Sequence, residues 1–110
     1  MLLLTTTGRK TGKQRTTPLL YVEDDGRYVV IGSVGGAPKH PAWYLNLGGN
    51  PAATIQLGRR KLQVTAKTAE PEERARLWAR ATRMYSGYDG YQAKTGREIP
   101  VVILTARAST

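Results

Sequence analysis

Apolar and polar positions change period several times along this chain, and each change marks an element. Residues 2–6 are short, aliphatic and then β-branched, which predicts a buried strand. The run Gly8-Arg9-Lys10-Thr11-Gly12-Lys13 breaks it with two glycines and three cations. Residues 15–23 alternate well enough for a second strand, with Pro18 marking an edge or a bulge. Asp24-Asp25-Gly26 predicts a hairpin turn, because Asp and Gly tolerate the positive φ that such turns demand. Residues 27–33 return as a third strand. Gly35-Gly36-Ala37-Pro38 predicts a loop, and Pro41 opens a short helix over residues 42–47 that Gly48-Gly49 ends.

Two further strands are expected at residues 53–57 and 61–67, joined near Gly58. Pro71, with Glu72 and Glu73 beside it, fits the first turn of a helix, where the dipole favours anions. Leu77, Trp78, Ala81, Met84 and Tyr85 form a stripe at helical spacing. Ser86-Gly87 interrupts it, a tyrosine-rich segment runs to Thr95, and residues 99–105 make a last strand. Short strands joined mostly by hairpins, with few helices, place the chain in a mainly β class with flanking helices (α+β). The expected architecture is a closed or half-closed antiparallel barrel of about six strands.

Length and composition narrow the chemistry. A chain of 110 residues with 40% apolar content supports one domain, residues 1–110, with a compact core. No apolar run reaches the length of a membrane span, and no secretory signal is visible, so a cytoplasmic setting is expected. Zero cysteines remove disulfides, thiol nucleophiles and thiolate metal sites, and one histidine, His40, leaves no His-rich metal site. Seventeen Lys and Arg against eight Asp and Glu give a net charge of +9, a field that attracts polyanions. Nucleic acid, acidic lipid, and a phosphorylated or polycarboxylate ligand all fit that field.

Three segments carry candidate chemistry. In the first, the glycines of residues 8–13 let backbone amides approach an anion, while Arg9, Lys10, Lys13 and Arg15 supply countercharge. The Walker spacing is absent, and a hairpin loop that happens to be basic explains the same residues. In the second, Ser33-Val34-Gly35-Gly36-Ala37-Pro38-Lys39 enters a helix N-terminus and presents free N–H groups to a ligand. Trp43 and Tyr44 just beyond it suit a core, and His40 suits a loop or cap. The third is Tyr85, Tyr88 and Tyr91, half of the six tyrosines. Their hydroxyls can donate a hydrogen bond or a proton. Tyr85 fits packing, whereas Gly87 and Gly90 beside Tyr88 and Tyr91 predict an exposed lid.

Taken together, these segments resemble the deazaflavin-dependent nitroreductase family, which uses coenzyme F420, an 8-hydroxy-5-deazaflavin. The resemblance rests on Leu4-Thr5-Thr6-Thr7-Gly8-Arg9-Lys10-Thr11-Gly12, on Gly35-Gly36-Ala37 with Pro41-Ala42-Trp43-Tyr44-Leu45-Asn46-Leu47, and on Asn50-Pro51. Glu72-Glu73-Arg74, Met84-Tyr85 and Arg97-Glu98-Ile99-Pro100-Val101 complete an ordered set spanning nearly the whole chain.

The resemblance implies a split β-barrel, related to flavin-binding pyridoxamine-phosphate oxidases, that passes a hydride from F420H2 to a quinone, enone or nitro acceptor. It implies cofactor contacts from Arg9, Lys10, Thr11, Gly12 and Arg15, and from Ser33, Gly35, Gly36, Ala37 and Trp43. Tyr85, Tyr88 and Tyr91, with Leu20, are expected to wall the substrate. Tyr88, Tyr91 and Ser33 are the expected catalytic groups. A small-molecule electron acceptor is the expected partner, without nucleic acid, and a homodimer is compatible with related barrels. Val34 stands where family members carry lysine, and Leu20 where nitroimidazole-activating members carry tyrosine, so nitroimidazole reduction is not expected. The family's N-terminal segment, linked to membrane association, does not precede the first strand, so membrane binding has no support in this sequence. The competing readings are a basic barrel that binds nucleic acid without catalysis, and a relative that binds FMN or haem.

Overall fold

The computed structural model describes residues 1–32, 40–85, 87–94 and 98–107, with backbone alone at Asp89, Tyr91 and Lys94. Its strands are β1 (Leu2–Thr7), β2 (Gln14–Leu19), β3 (Val22–Asp24), β4 (Arg27–Ile31), β5 (Ala52–Leu57), β6 (Arg60–Thr68) and β7 (Val101–Ala106). The helices are α1 (Ala42–Gly49), α2 (Pro71–Met84) and α3 (Gly87–Lys94). All seven strands join one antiparallel sheet in the order β2-β1-β5-β6-β7-β4-β3.

The expected strand over residues 15–23 is two strands. The chain leaves the ladder at Leu20 and Tyr21, so β2 pairs with β1 and β3 pairs with β4, at opposite edges of the sheet. Two residues between Leu19 and Val22 span at most about 11 Å of extended chain. The edges of a flat sheet of this many strands would stand about 29 Å apart. The sheet therefore rolls until its edges approach, which makes the half-barrel.

Side-chain parity shows what each face buries. Leu2, Leu4, Ala53, Ile55, Val64, Tyr28, Val30, Val102 and Leu104 point to one face, where Trp43 and Leu47 of α1 close the core. Val22, Val29, Ile31, Val101 and Ile103 point to the other, under Leu77 and Ala81 of α2 and Tyr88 of α3. Strands β4 and β7 are thus buried on both sides, which is why they read as unbroken apolar runs. Each such fully buried aliphatic side chain contributes about 1.5–3 kcal/mol relative to exposure.

The β3–β4 turn has positive φ at Asp25 (51°) and Gly26 (78°), the two-residue geometry that Asp-Gly favours. Helix α2 carries Pro71 in its first turn with Glu72 and Glu73, as expected. Its apolar stripe is shorter than expected, because Met84 ends the helix 57% exposed and Tyr85 caps it.

Two arginine-centred clusters hold the helices to the sheet. Buried Asp24 accepts two hydrogen bonds from Arg76, each 3.0 Å, and one from Arg27 at 2.9 Å. Arg27 also reaches Glu73 at 3.0 Å, and Arg80 donates to the Glu23 carbonyl at 2.8 Å. Arg74 donates to the Ile99 carbonyl (2.8 Å) and to Gln92 on α3 (3.2 Å), and its guanidinium lies 4.9 Å from the Trp78 ring centre. Its Nε is 3.1 Å from Glu98, close enough for an ion pair but not aligned as a hydrogen bond.

Candidate active site

The loop over residues 8–13 joins β1 to β2, and its own bonds give it a fixed shape. Gly8 N–H donates to the Lys13 carbonyl (2.7 Å), and Gly12 N–H donates to the Gly8 carbonyl (2.8 Å). That shape favours both glycines. Gly12 has φ +72°, and a Cβ on Gly8 would stand 3.0 Å from Thr11 Oγ1 and 3.1 Å from the Lys13 carbonyl. Thr11 Oγ1 also accepts from Lys13 N–H at 3.2 Å.

Between this loop, the start of β2 and one side of α1 lies an open cleft of about 670 Å3. Arg9, Lys10 and Arg15 line it together with Thr6, Gly8, Thr11, Gln14, Thr16 and Thr17. Ala42, Trp43 and Asn46, spaced one and three residues apart on α1, form its opposite wall. No carboxylate among the described residues lines the cleft. Among the described residues every ion pair lies elsewhere, at the Asp24 and Arg74 clusters. The cleft therefore concentrates positive charge without internal neutralisation, in a volume suited to a cofactor-sized ligand.

The structure brings Arg9, Lys10, Thr11, Arg15 and Trp43 to one cleft, while Gly12 closes the loop behind them. Trp43 does double duty, since it is 6% exposed in the first core and also lines the cleft. Ser33, Gly35, Gly36 and Ala37 lie outside the described residues, as does the side chain of Tyr91. Leu20 is exposed at the corner between β2 and β3.

Tyr88 corrects the expectation of an exposed lid. It is buried, with its ring 6.2 Å from Trp78 and 6.1 Å from Tyr85 in an edge-on contact. The reason is tertiary: Arg74 and Gln92 bind α3 back onto α2, so the face of α3 carrying Tyr88 turns inward. Tyr85 packs against the same core, as expected.

Sequence reasoning missed Asn46, Thr6, Gln14, Thr16 and Thr17 as cleft residues. A signal for Asn46 existed, because it shares a helix side with Trp43 three residues earlier. Among the described residues no helix is long and apolar enough to cross a membrane, and no cluster of His, Asp or Glu could hold a metal ion.

Comparison with known proteins gives a consistent picture. An F420H(2)-dependent quinone reductase of Mycobacterium tuberculosis strain H37Rv is 45% identical over 109 residues, covering 96% of this chain and 73% of the relative. A solved structure of an F420-H2-dependent reductase is 47% identical with a TM-score of 0.85, covering 94% of this chain and 91% of that one. A domain-swapped dimer is 47% identical with a TM-score of 0.86, covering 94% of this chain and 78% of that one. HutZ, a haem storage protein of Vibrio cholerae, shares the fold at 15% identity and a TM-score of 0.75, covering 98% and 82%. Residues 1–106 match the family described as F420H(2)-dependent quinone reductase. The chain, with its split-barrel sheet and cation-lined cleft, belongs to the F420H(2)-dependent quinone reductase family.

Proposed function

We propose that residues 1–110 form one deazaflavin-binding domain that reduces quinones with F420H2, holding the cofactor's anionic side chain in the cleft of Arg9, Lys10 and Arg15. The single observation that carries this reading is a cofactor-sized cleft that, among the described residues, is lined by three cations and no carboxylate. Such a lining fits a phosphate and a glutamate tail, and Trp43 adds a flat apolar wall. When bound, the reduced cofactor supplies the hydride.

The chain's own residues bind and orient. Arg9, Lys10 and Arg15 pair with the anionic groups, while Thr11, Gln14, Thr16 and Thr17 offer hydroxyl and amide partners. Gly12, with its positive φ and its bond to the Gly8 carbonyl, holds the shape of the loop that carries Arg9, Lys10 and Thr11. Ser33, Gly35, Gly36 and Ala37 are proposed to border the cofactor ring, with Ser33 giving it or the substrate a hydrogen bond. Leu20 and Tyr85 are proposed to bound the acceptor, and Leu20 disfavours nitroimidazoles because it has no hydroxyl to orient them. A reduced acceptor takes a proton as well as a hydride. Tyr91 is proposed to hold that proton on its phenolic oxygen, while Tyr88, buried against Trp78 and Tyr85, is left a packing role. The domain-swapped dimer relative supports a homodimer, and a cytoplasmic setting is proposed with it.

The deciding experiment titrates purified protein with F420 and with FMN by fluorescence, then follows anaerobic oxidation of F420H2 by a quinone. Binding of F420 alone, with quinone-dependent turnover, is expected; preferential FMN binding would overturn the reading. In the same assay Tyr91→Phe should lower kcat by about 30- to 1000-fold, the size of a lost transition-state hydrogen bond. Tyr88→Phe should leave kcat near wild type. A Tyr91→Phe enzyme that turns over normally would assign the proton to solvent.

A further inference from the structure

We infer that Asn46 is a positioning residue that sets the basic loop against α1, and through this gives the site its preference for a tail-bearing cofactor over a bare deazaflavin ring. The inference rests on the cleft being the site of the anionic tail.

Asn46 is 5% exposed although it sits on a short helix. A carboxamide at such a depth is costly unless both its ends are paired. Here both are. Its Oδ1 accepts from the Arg9 N–H at 3.1 Å, and its Nδ2 donates to Thr6 Oγ1 at 3.2 Å. Thr6 is 1% exposed, the last inward-facing residue of β1 before the loop begins. One side chain thus joins a strand end, a loop and a helix.

The bonds within the loop run between residues 8 and 13, so they set its shape but not its place. Among the described residues, the Arg9–Asn46 bond is the hydrogen bond that ties it to α1. The helix end also packs close by, since a Cβ on Gly49 would be 3.6 Å from Arg9 Cβ. Arg9, Lys10 and Arg15 attract one ligand together only if the loop and β2 hold a fixed distance from the wall that carries Trp43. The Asn46 carboxamide supplies that constraint. The same bond turns the Arg9 amide toward the helix, which leaves the Arg9 side chain to the cleft.

The test uses Asn46→Leu and Thr6→Val in the full chain, with three readouts. These are hydrogen exchange at the Arg9 amide, and fluorescence titration with F420 and with ring-only 8-hydroxy-5-deazaflavin. Asn46→Leu should speed Arg9 exchange and weaken F420 by about tenfold or more, the effect of one lost buried hydrogen-bond pair. Ring-only affinity should change by less than about twofold, which a general loss of structure would not spare. Asn46→Asp keeps an acceptor for the Arg9 N–H and should restore its protection. Thr6→Val unpairs only Nδ2 and should shift exchange and tail preference in the same direction by less, so it decides the matter if Asn46→Leu does not fold. Wild-type Arg9 exchange and undiminished tail preference in the folded variants would overturn the inference. A wild-type protein that binds both ligands equally would instead overturn the reading of the cleft itself.

Discussion

Replacing Lys10 and Arg15 together by alanine is expected to weaken F420 binding by about a hundredfold or more, at about 1.5–3 kcal/mol for each lost charged hydrogen bond. Both side chains are exposed at the cleft mouth, so the loss depends on ionic strength. At 0.1 M salt charges are screened over about 10 Å, and wild-type affinity should fall as salt rises while the double variant responds weakly. Affinity should also rise with the number of glutamates on the tail, and the double variant should lose most of that dependence. Circular dichroism should show an unchanged fold, because neither residue belongs to either core. Equal wild-type affinity for a tail-less deazaflavin would remove the basis of the assignment.

The Asp24→Asn variant should lose about 2–4 kcal/mol of stability at neutral pH and melt about 10 °C or more below wild type. Its carboxylate is buried and receives the guanidinium groups of Arg76 and Arg27, with Arg80 3.5 Å away. The hydrogen bonds from Arg76, then the one from Arg27, hold its pKa far below the ordinary carboxylate range, against the opposing effect of burial. A depressed native pKa means that the unfolded chain takes up the proton first. The stabilisation is therefore full above the unfolded pKa near 3.9 and is lost as pH falls below it. Thermal melts from pH 8 to pH 2 should show a constant gap between wild type and variant above about pH 5, closing in acid. A gap that persists unchanged at pH 2 would show that packing, and not charge, ties the β3–β4 hairpin to α2.

Much of this molecule was legible in its sequence, for local reasons. The aliphatic and then β-branched run of residues 2–6 marked a buried strand, and in the structure its side chains alternate so that Leu2, Leu4 and Thr6 are the buried ones. Asp-Gly marked a turn because few residues accept positive φ there. The basic loop was legible as a cluster of cations because two glycines and its cations lie within eight consecutive residues, and the structure places Arg9, Lys10 and Arg15 on one cleft.

Other features depend on contacts between segments far apart in the chain. The break at Leu20 and Tyr21 has no strong local signal. It follows from β2 and β3 pairing with different partners as the sheet rolls up. The burial of Tyr88 was hidden because the glycines beside it suggest an exposed lid, while Arg74, eighteen residues before Gln92, draws α3 onto α2. Asn46 meets Arg9 across 37 residues and Thr6 across 40, so no local window contains the interaction that positions the loop. Local backbone preference and periodicity determined the elements and the charge of the site. Only the rolled sheet, by bringing strand end, loop and helix within hydrogen-bond reach, decided which side chains face the cleft and which are buried behind it.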